Sequence, residues 1–296
     1  MTPGIYSFKN WLLAIRPKTL WASIAPVLIG TAMAYGDGVH HFPSAFAALL
    51  GAFFVQIGTN LANDYFDGKS GVDMPDRLGP VRVTQAGLIP PLAVKWAFIA
   101  CFLIAGLVAS YLVVRAGFPV LIIGILSILS GIFYTAGPKP LSHLGLGDIF
   151  VLIFFGPVAV AGTYYVQSFE CNGAVIAAGF APGLFSAAIL AVNNLRDIKT
   201  DDRAGKKTLA VRFGRTFVRA EYLVCIAAGS FIPALVFLIT NEFPKTLVAS
   251  LVFLLLLPAI NTVYTSDNGD ELNAALAQTS RVLFIYAVIF SAMWVF

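Results

Sequence analysis

The chain has 296 residues, of which 58% are hydrophobic and 11% charged, with a formal net charge of +4 and a mean hydropathy of +0.84. Soluble domains carry about 25% charged residues, so this composition excludes an ordinary water-soluble domain. Only a bilayer lets so many Leu, Phe, Ile and Ala side chains face outward without aggregation, and the basic balance then reports membrane orientation rather than nucleic-acid binding.

From the amino terminus, the first 18 residues contain Lys9, Arg16 and Lys18 but no short apolar core followed by a small-residue cleavage site, so no signal peptide is expected. Nine apolar stretches follow, each about long enough to cross some 30 Å of hydrocarbon: residues 19–36, 42–63, 91–114, 118–135, 147–166, 172–194, 217–240, 245–265 and 279–296. Lipid offers backbone groups no partner, and the runs are too continuous for the alternating pattern of a membrane barrel, so they predict helices. The expected fold is an all-α membrane protein, a bundle of nine transmembrane helices forming a single domain over residues 1–296. Cys101, Cys171 and Cys225 show neither paired nor metal-ligand spacing, and two of them lie inside apolar runs where they would pack as small hydrophobes.

Nine spans place the amino terminus and the loops after spans two, four, six and eight on one side. That side carries 17 of the 19 Lys and Arg residues; only Arg115 and Lys245 lie opposite. The positive-inside rule therefore predicts a cytoplasmic amino terminus and an external carboxyl terminus.

Polar residues concentrate in two cytoplasmic segments, 64–90 and 195–216. One opens with Asn60, Asn63, Asp64 and Asp67, the other with Asn193, Asn194, Asp197, Asp201 and Asp202. Superposing Asp67 on Asp197 superposes Asn63 on Asn193, which predicts a weak internal repeat of about four helices around a pseudo-two-fold axis. Residues four apart share a helix face, so Asn63 with Asp67, and Asn193 with Asp197 and Asp201, form two oxygen-bearing stripes. Mg²⁺ takes six oxygens, keeps several waters and is usually held by one or two carboxylates together with substrate phosphates. Facing stripes therefore suit a diphosphate bridged by Mg²⁺. Arg77, Arg82, Lys139, Lys206 and Lys207 are available for the remaining phosphate oxygens. Asp64 adjoins the first stripe, and Asp73 completes it if the helix unwinds beyond Gly71.

These clusters resemble the twin Asp-rich motifs of the UbiA superfamily of membrane prenyltransferases, and within it the branch acting on 1,4-dihydroxy-2-naphthoate in menaquinone synthesis. The stretches carrying the resemblance are Arg16 to Leu20, Asn60 to Asp73 (NLANDYFDGKSGVD), Pro75 to Gly87, Tyr134 to Asp148 (YTAGPKPLSHLGLGD) and Asn193 to Gly214. Gly71 stands where hydroxybenzoate-type members place an Asp, and Asp73 follows instead, as in the naphthoate type. The resemblance implies that Asn63, Asp67, Asp197 and Asp201 bind Mg²⁺ and diphosphate with Asp64 in support, that Lys139 is a basic site residue, and that Arg77 and Arg82 contact phosphate. It also implies a polyprenyl diphosphate donor and an aromatic acceptor that loses its carboxylate.

Breaking an allylic C–O bond requires charge neutralisation on the leaving diphosphate, and the carbocation formed needs a dry cavity and an electron-rich ring. Tyr134 is the favoured aromatic face for that cation. Arg16, followed by Lys18, is expected to meet an anionic acceptor. The expected location is the bacterial cytoplasmic (inner) membrane, with the site on its cytoplasmic side and lipid as the surrounding partner. Two alternatives remain at this point: a related prenyl transfer to 4-hydroxybenzoate, homogentisate or haem, and a secondary transporter, which would bind near the bilayer midplane.

Overall fold

The computed structural model describes residues 7–70, 79, 81–137 and 140–296. Asp73, Arg77 and Lys139 lie outside the described residues. The chain forms α1 (Phe8–Ile15), α2 (Pro17–Gly36), α3 (Phe42–Ser70), α4 (Pro91–Ala116), α5 (Phe118–Phe133), α6 (Gly147–Phe154), α7 (Pro157–Ser168), α8 (Gly173–Arg203), α9 (Leu209–Thr240), α10 (Val252–Thr265) and α11 (Gly269–Val295). Short 3₁₀ segments cover Leu141–His143 and Pro244–Leu251, and no strand occurs among the described residues.

Local chemistry sets the helix boundaries. Asn172 caps α8 by accepting from Val175 N at 2.9 Å, Thr208 caps α9 by accepting from Val211 N at 3.3 Å, and Asn268 caps α11 through Asp270 N and Glu271 N; each satisfies amides that have no partner within the helix. Pro17 starts α2 and Pro91 starts α4, positions where the missing N–H costs nothing. Arg16, in the left-handed region at φ 56°, turns the chain between α1 and α2.

Eight helical segments, rather than the nine expected, are long and apolar enough to span a membrane among the described residues. The exception is α5, whose 16 residues extend only about 24 Å at 1.5 Å per residue. Its two ends meet different parts of α3. Val120 packs with Ala47, Leu112, Ala116 and Val166, while Thr135, just past its other end, donates to Asn63. Other boundaries differ from expectation. The polar segments expected as loops from 64 and 195 are helical to Ser70 and Arg203, and the last helix begins at Gly269 rather than 279.

The main core is built around α8, which packs against α2, α6, α7, α9 and α11. A second cluster joins α1, α3 and α4 with the segment around Val83 and Ile89. Contact along α8 is close because Gly156, Gly179 and Gly183 meet. A Cβ on Gly156 would stand 2.9 Å from the Gly179 carbonyl oxygen, and one on Gly179 would stand 2.6 Å from the Pro157 Cα. Such small-residue contacts are how helices approach closely where the surrounding solvent is lipid. Leu107, Val114, Phe118 and Leu238 point outward, as that solvent permits.

Candidate active site

A cavity of about 870 Å³ runs through the bundle, and both stripes open into it: Asn63 and Asp67 from α3, and Asn193, Asp197 and Asp201 from α8. Away from them its wall becomes mostly apolar, with Ala48, Gly51 and Ala52 of α3, Ala109 and Leu112 of α4, Gly124 of α5 and Gly162 of α7. From Asp67 to Ala48 along α3 is about 28 Å. The cavity therefore has a charged end and an oily stem nearly as long as a bilayer core is thick.

An arginine holds the leading carboxylate on each side. Arg82 Nη2 donates to Asp67 Oδ2 at 2.6 Å. Arg196 grips both oxygens of Asp197, through Nε to Oδ1 at 2.8 Å and Nη2 to Oδ2 at 2.5 Å; it also donates to Asn193 Oδ1 at 2.7 Å and Asn273 Oδ1 at 2.6 Å. All four side chains in these pairs are at most 5% exposed, and buried charges persist only when paired in this way. Lys206 Nζ stands 3.8 Å from Asp201 Oδ1 and also lines the cavity.

Asp64 takes a different position. It lies one residue from Asn63, about 100° round the helix, and does not line the cavity. Its carboxylate accepts from Val83 N at 3.0 Å and Thr84 N at 2.9 Å, so it pins the segment that presents Arg82. Asn60 does similar work on the other side. Its Nδ2 donates to the Ile15 carbonyl at 2.8 Å and to Thr19 Oγ1 at 3.0 Å, fixing the α1–α2 joint where Arg16 and Lys18 line the cavity.

Tyr134 lines the cavity, with its hydroxyl over Gly147 at the start of α6. Its carbonyl accepts from Ser142 Oγ at 2.6 Å, which curls the loop after α5 back on itself. That loop meets the α8–α9 connection where Lys207 N donates to the His143 carbonyl at 3.1 Å and Arg212 Nη2 donates to the Leu144 carbonyl at 2.9 Å. Gly145 sits between them at φ 68°, where a Cβ would stand 2.8 Å from the Lys207 carbonyl oxygen; only glycine fits both demands. Burial, and then nearby Lys206, lower the His143 pKa below its ordinary value, which favours a neutral imidazole. Lys207 itself projects away, exposed and paired with exposed Asp202 at 3.4 Å, and does not line the cavity.

Four site residues escape a reading of the sequence. Arg196 counts there only as a cytoplasmic positive charge. Asn273, with Asp270 beside it on the wall, falls where the sequence suggests a loop, although Asn268 followed by Asp270 and Glu271 is a helix-start pattern that could have exposed it. Asp148 ends a motif but carries no spacing signal.

Among the described residues, no three Asp, Glu, His or Cys side chains converge closely enough to enclose a metal ion unaided. The donors facing the cavity are instead carboxylate and amide oxygens on two separate helices. That is an all-oxygen, incomplete set of the kind suited to a hard cation that keeps waters and shares substrate phosphates.

Comparison with known proteins agrees with this architecture. Residues 23–295 match the UbiA prenyltransferase family model. A 1,4-dihydroxy-2-naphthoate octaprenyltransferase of Haemophilus influenzae is 35% identical over 96% of this chain and 94% of its own. The Escherichia coli protein of the same name is 42% identical over 76% and 74%. Among solved structures, a UbiA homolog from Archaeoglobus fulgidus bound to GPP and Mg²⁺ superposes with a TM-score of 0.64 at 17% identity, covering 95% of this chain and 99% of that one. An apo UbiA homolog from Aeropyrum pernix K1 gives 0.67 at 15% identity, covering 93% and 96%. The chain belongs to the UbiA prenyltransferase family.

Proposed function

We propose that the protein transfers a polyprenyl group from polyprenyl diphosphate to 1,4-dihydroxy-2-naphthoate, releasing diphosphate and the acceptor's carboxylate as CO₂. The observation carrying this reading is the single cavity that joins two acidic helix tips to a long apolar stem. One end suits a diphosphate and the other an isoprenoid tail. A transporter site would sit near the midplane, whereas here the charges gather at one end of the helices. The relatives named for this reaction support the choice of acceptor.

In this reading α5 is a ninth crossing and the two Asx-bearing halves are pseudo-symmetric. The amino terminus and the site lie on the cytoplasmic side of the bacterial inner membrane, and the carboxyl terminus lies outside. Asn63, Asp67, Asn193, Asp197 and Asp201 would hold Mg²⁺, which supplies charge neutralisation on the departing diphosphate. Arg82 and Lys206 keep that end cationic and orient the phosphate oxygens, joined by Arg77 and Lys139. Asp64 holds the Arg82 segment in place, and Asp73 adds to the first tip. The apolar stem excludes water from the reacting carbon, and the Tyr134 ring presents its face to positive charge there. The allylic C–O electron pair leaves with the diphosphate oxygen, and the ring carbon then bonds to the prenyl carbon. The electron pair of the C–CO₂ bond returns to the ring as CO₂ departs. Arg16, backed by Lys18, orients the acceptor carboxylate until that point.

The test supplies purified protein in detergent with one polyprenyl diphosphate and, in turn, 1,4-dihydroxy-2-naphthoate, 4-hydroxybenzoate and homogentisate, with Mg²⁺ or EDTA. Prenylated, decarboxylated naphthoquinol formed only with Mg²⁺ is expected. Product from another acceptor alone, or solute flux in vesicles without any product, overturns the proposal.

A further inference from the structure

The mechanism leaves one buried acid without a task. Asp148 sits in the first turn of α6 and lines the cavity, yet its residue is only 6% exposed and its Oδ1 has no hydrogen-bond partner. An acceptor oxygen buried without a partner carries the full desolvation cost of the group. Such a group persists where a ligand supplies the missing hydrogen bond or where function requires it.

Its depth identifies the ligand. The neighbouring Gly147 packs against the Leu190 side chain of α8 and under the Tyr134 hydroxyl. Leu190 precedes Asp197 by seven residues, about two turns or 10 Å along α8. Asp148 therefore lies deeper than the carboxylates assigned to the diphosphate and above the mostly apolar stem, the depth at which the proposed function puts the reacting carbon atoms. A diphosphate or an acceptor carboxylate would be repelled by a second anion there, and an isoprenoid has no hydrogen to donate. The partner left is a hydroxyl on the aromatic ring.

We infer that Asp148 is a binding residue for the aromatic acceptor, its Oδ1 accepting a hydrogen bond from a ring hydroxyl and so setting the ring's orientation beside Tyr134. This rests on the proposed function and deepens it. Sites built to hydrogen-bond a hydroxyl discriminate strongly against analogues lacking it, because the buried partner is then left unsatisfied.

The experiment compares the wild type with Asp148→Ala and the equal-sized Asp148→Asn at saturating polyprenyl diphosphate. Asp148→Ala should raise KM for the dihydroxynaphthoate roughly 10- to 100-fold, the range expected for a hydrogen bond to a charged group, and Asp148→Asn should raise it less. The KM for the prenyl donor and the Mg²⁺ requirement should not move. Naphthoates lacking one or the other hydroxyl, used as competitive inhibitors, should include one that binds wild type and variant equally. An unchanged acceptor KM, an equal loss for every naphthoate, or an altered Mg²⁺ requirement overturns the inference, the last by making Asp148 a metal ligand. Fluorescence titration of the naphthoate without prenyl donor repeats the comparison without turnover. If the wild type binds the acceptor yet forms no product, the proposed function fails, while the titration still decides for or against Asp148.

Discussion

The Arg196–Asp197 pair makes a quantitative prediction about how this site is kept. Both side chains are almost fully buried and the guanidinium spans both carboxylate oxygens. Removing either partner leaves a charge in low dielectric, a change that typically costs about 3–5 kcal/mol. Removing both takes the two opposing charges out together, so the double variant should be destabilised by no more than one single variant. Arg196→Ala and Asp197→Ala are therefore expected each to lose about 3–5 kcal/mol, with a coupling energy of at least about 3 kcal/mol in the cycle. The Asn193 and Asn273 bonds of Arg196 should make its single loss the larger. Reversible unfolding in mixed detergent micelles, followed by far-UV dichroism for all four proteins, measures the cycle. Single losses that simply add within about 0.5 kcal/mol would refute the claim that the pair, rather than each residue separately, holds the site.

Asp67→Ala should abolish turnover, a fall of at least roughly a hundredfold in kcat as for other lost electrostatic contacts to a developing charge, while dichroism shows a folded chain; near-wild-type rates would disprove the diphosphate assignment. Asp64→Ala removes the acceptor of two backbone amides and should cost about 1–3 kcal/mol and raise KM for the prenyl donor, with little change in KM for the acceptor. Gly51 and Gly124 both face the cavity with open space beyond their Cα atoms, so Gly124→Phe should shorten the longest polyprenyl diphosphate accepted, which mass spectrometry of products from a mixed-length donor pool would reveal. His143, whose pKa is lowered by burial and Lys206, is charged more readily in the unfolded chain than in the folded one. Its contribution to stability is fully present above about pH 6.5 and is lost as pH falls from there towards the lower folded value. His143→Gln should flatten that part of the stability profile.

The sequence by itself determined the solvent, the helical class and the two acidic tips. Hydropathy over about twenty residues reflects partition into lipid, and Asn63 with Asp67, like Asn193 with Asp197 and Asp201, follows the helix period. These are properties of one segment at a time, and both stripes do open into one cavity. Other features depended on which helices meet. Asp64, adjacent to the first stripe, turns instead to the Val83 and Thr84 amides. Arg196, adjacent to Asp197 in the chain, becomes a site residue because α11 brings Asn273 against it. Asp148 acquires a buried, unpartnered oxygen because α6 starts beneath Tyr134 and against Leu190. The short α5 takes its place from its neighbours rather than from its own 16 residues, Val120 packing with Ala47 near one end and Thr135 donating to Asn63 past the other. Periodicity along a chain says which face of a helix is polar, but packing in three dimensions decides what that face meets.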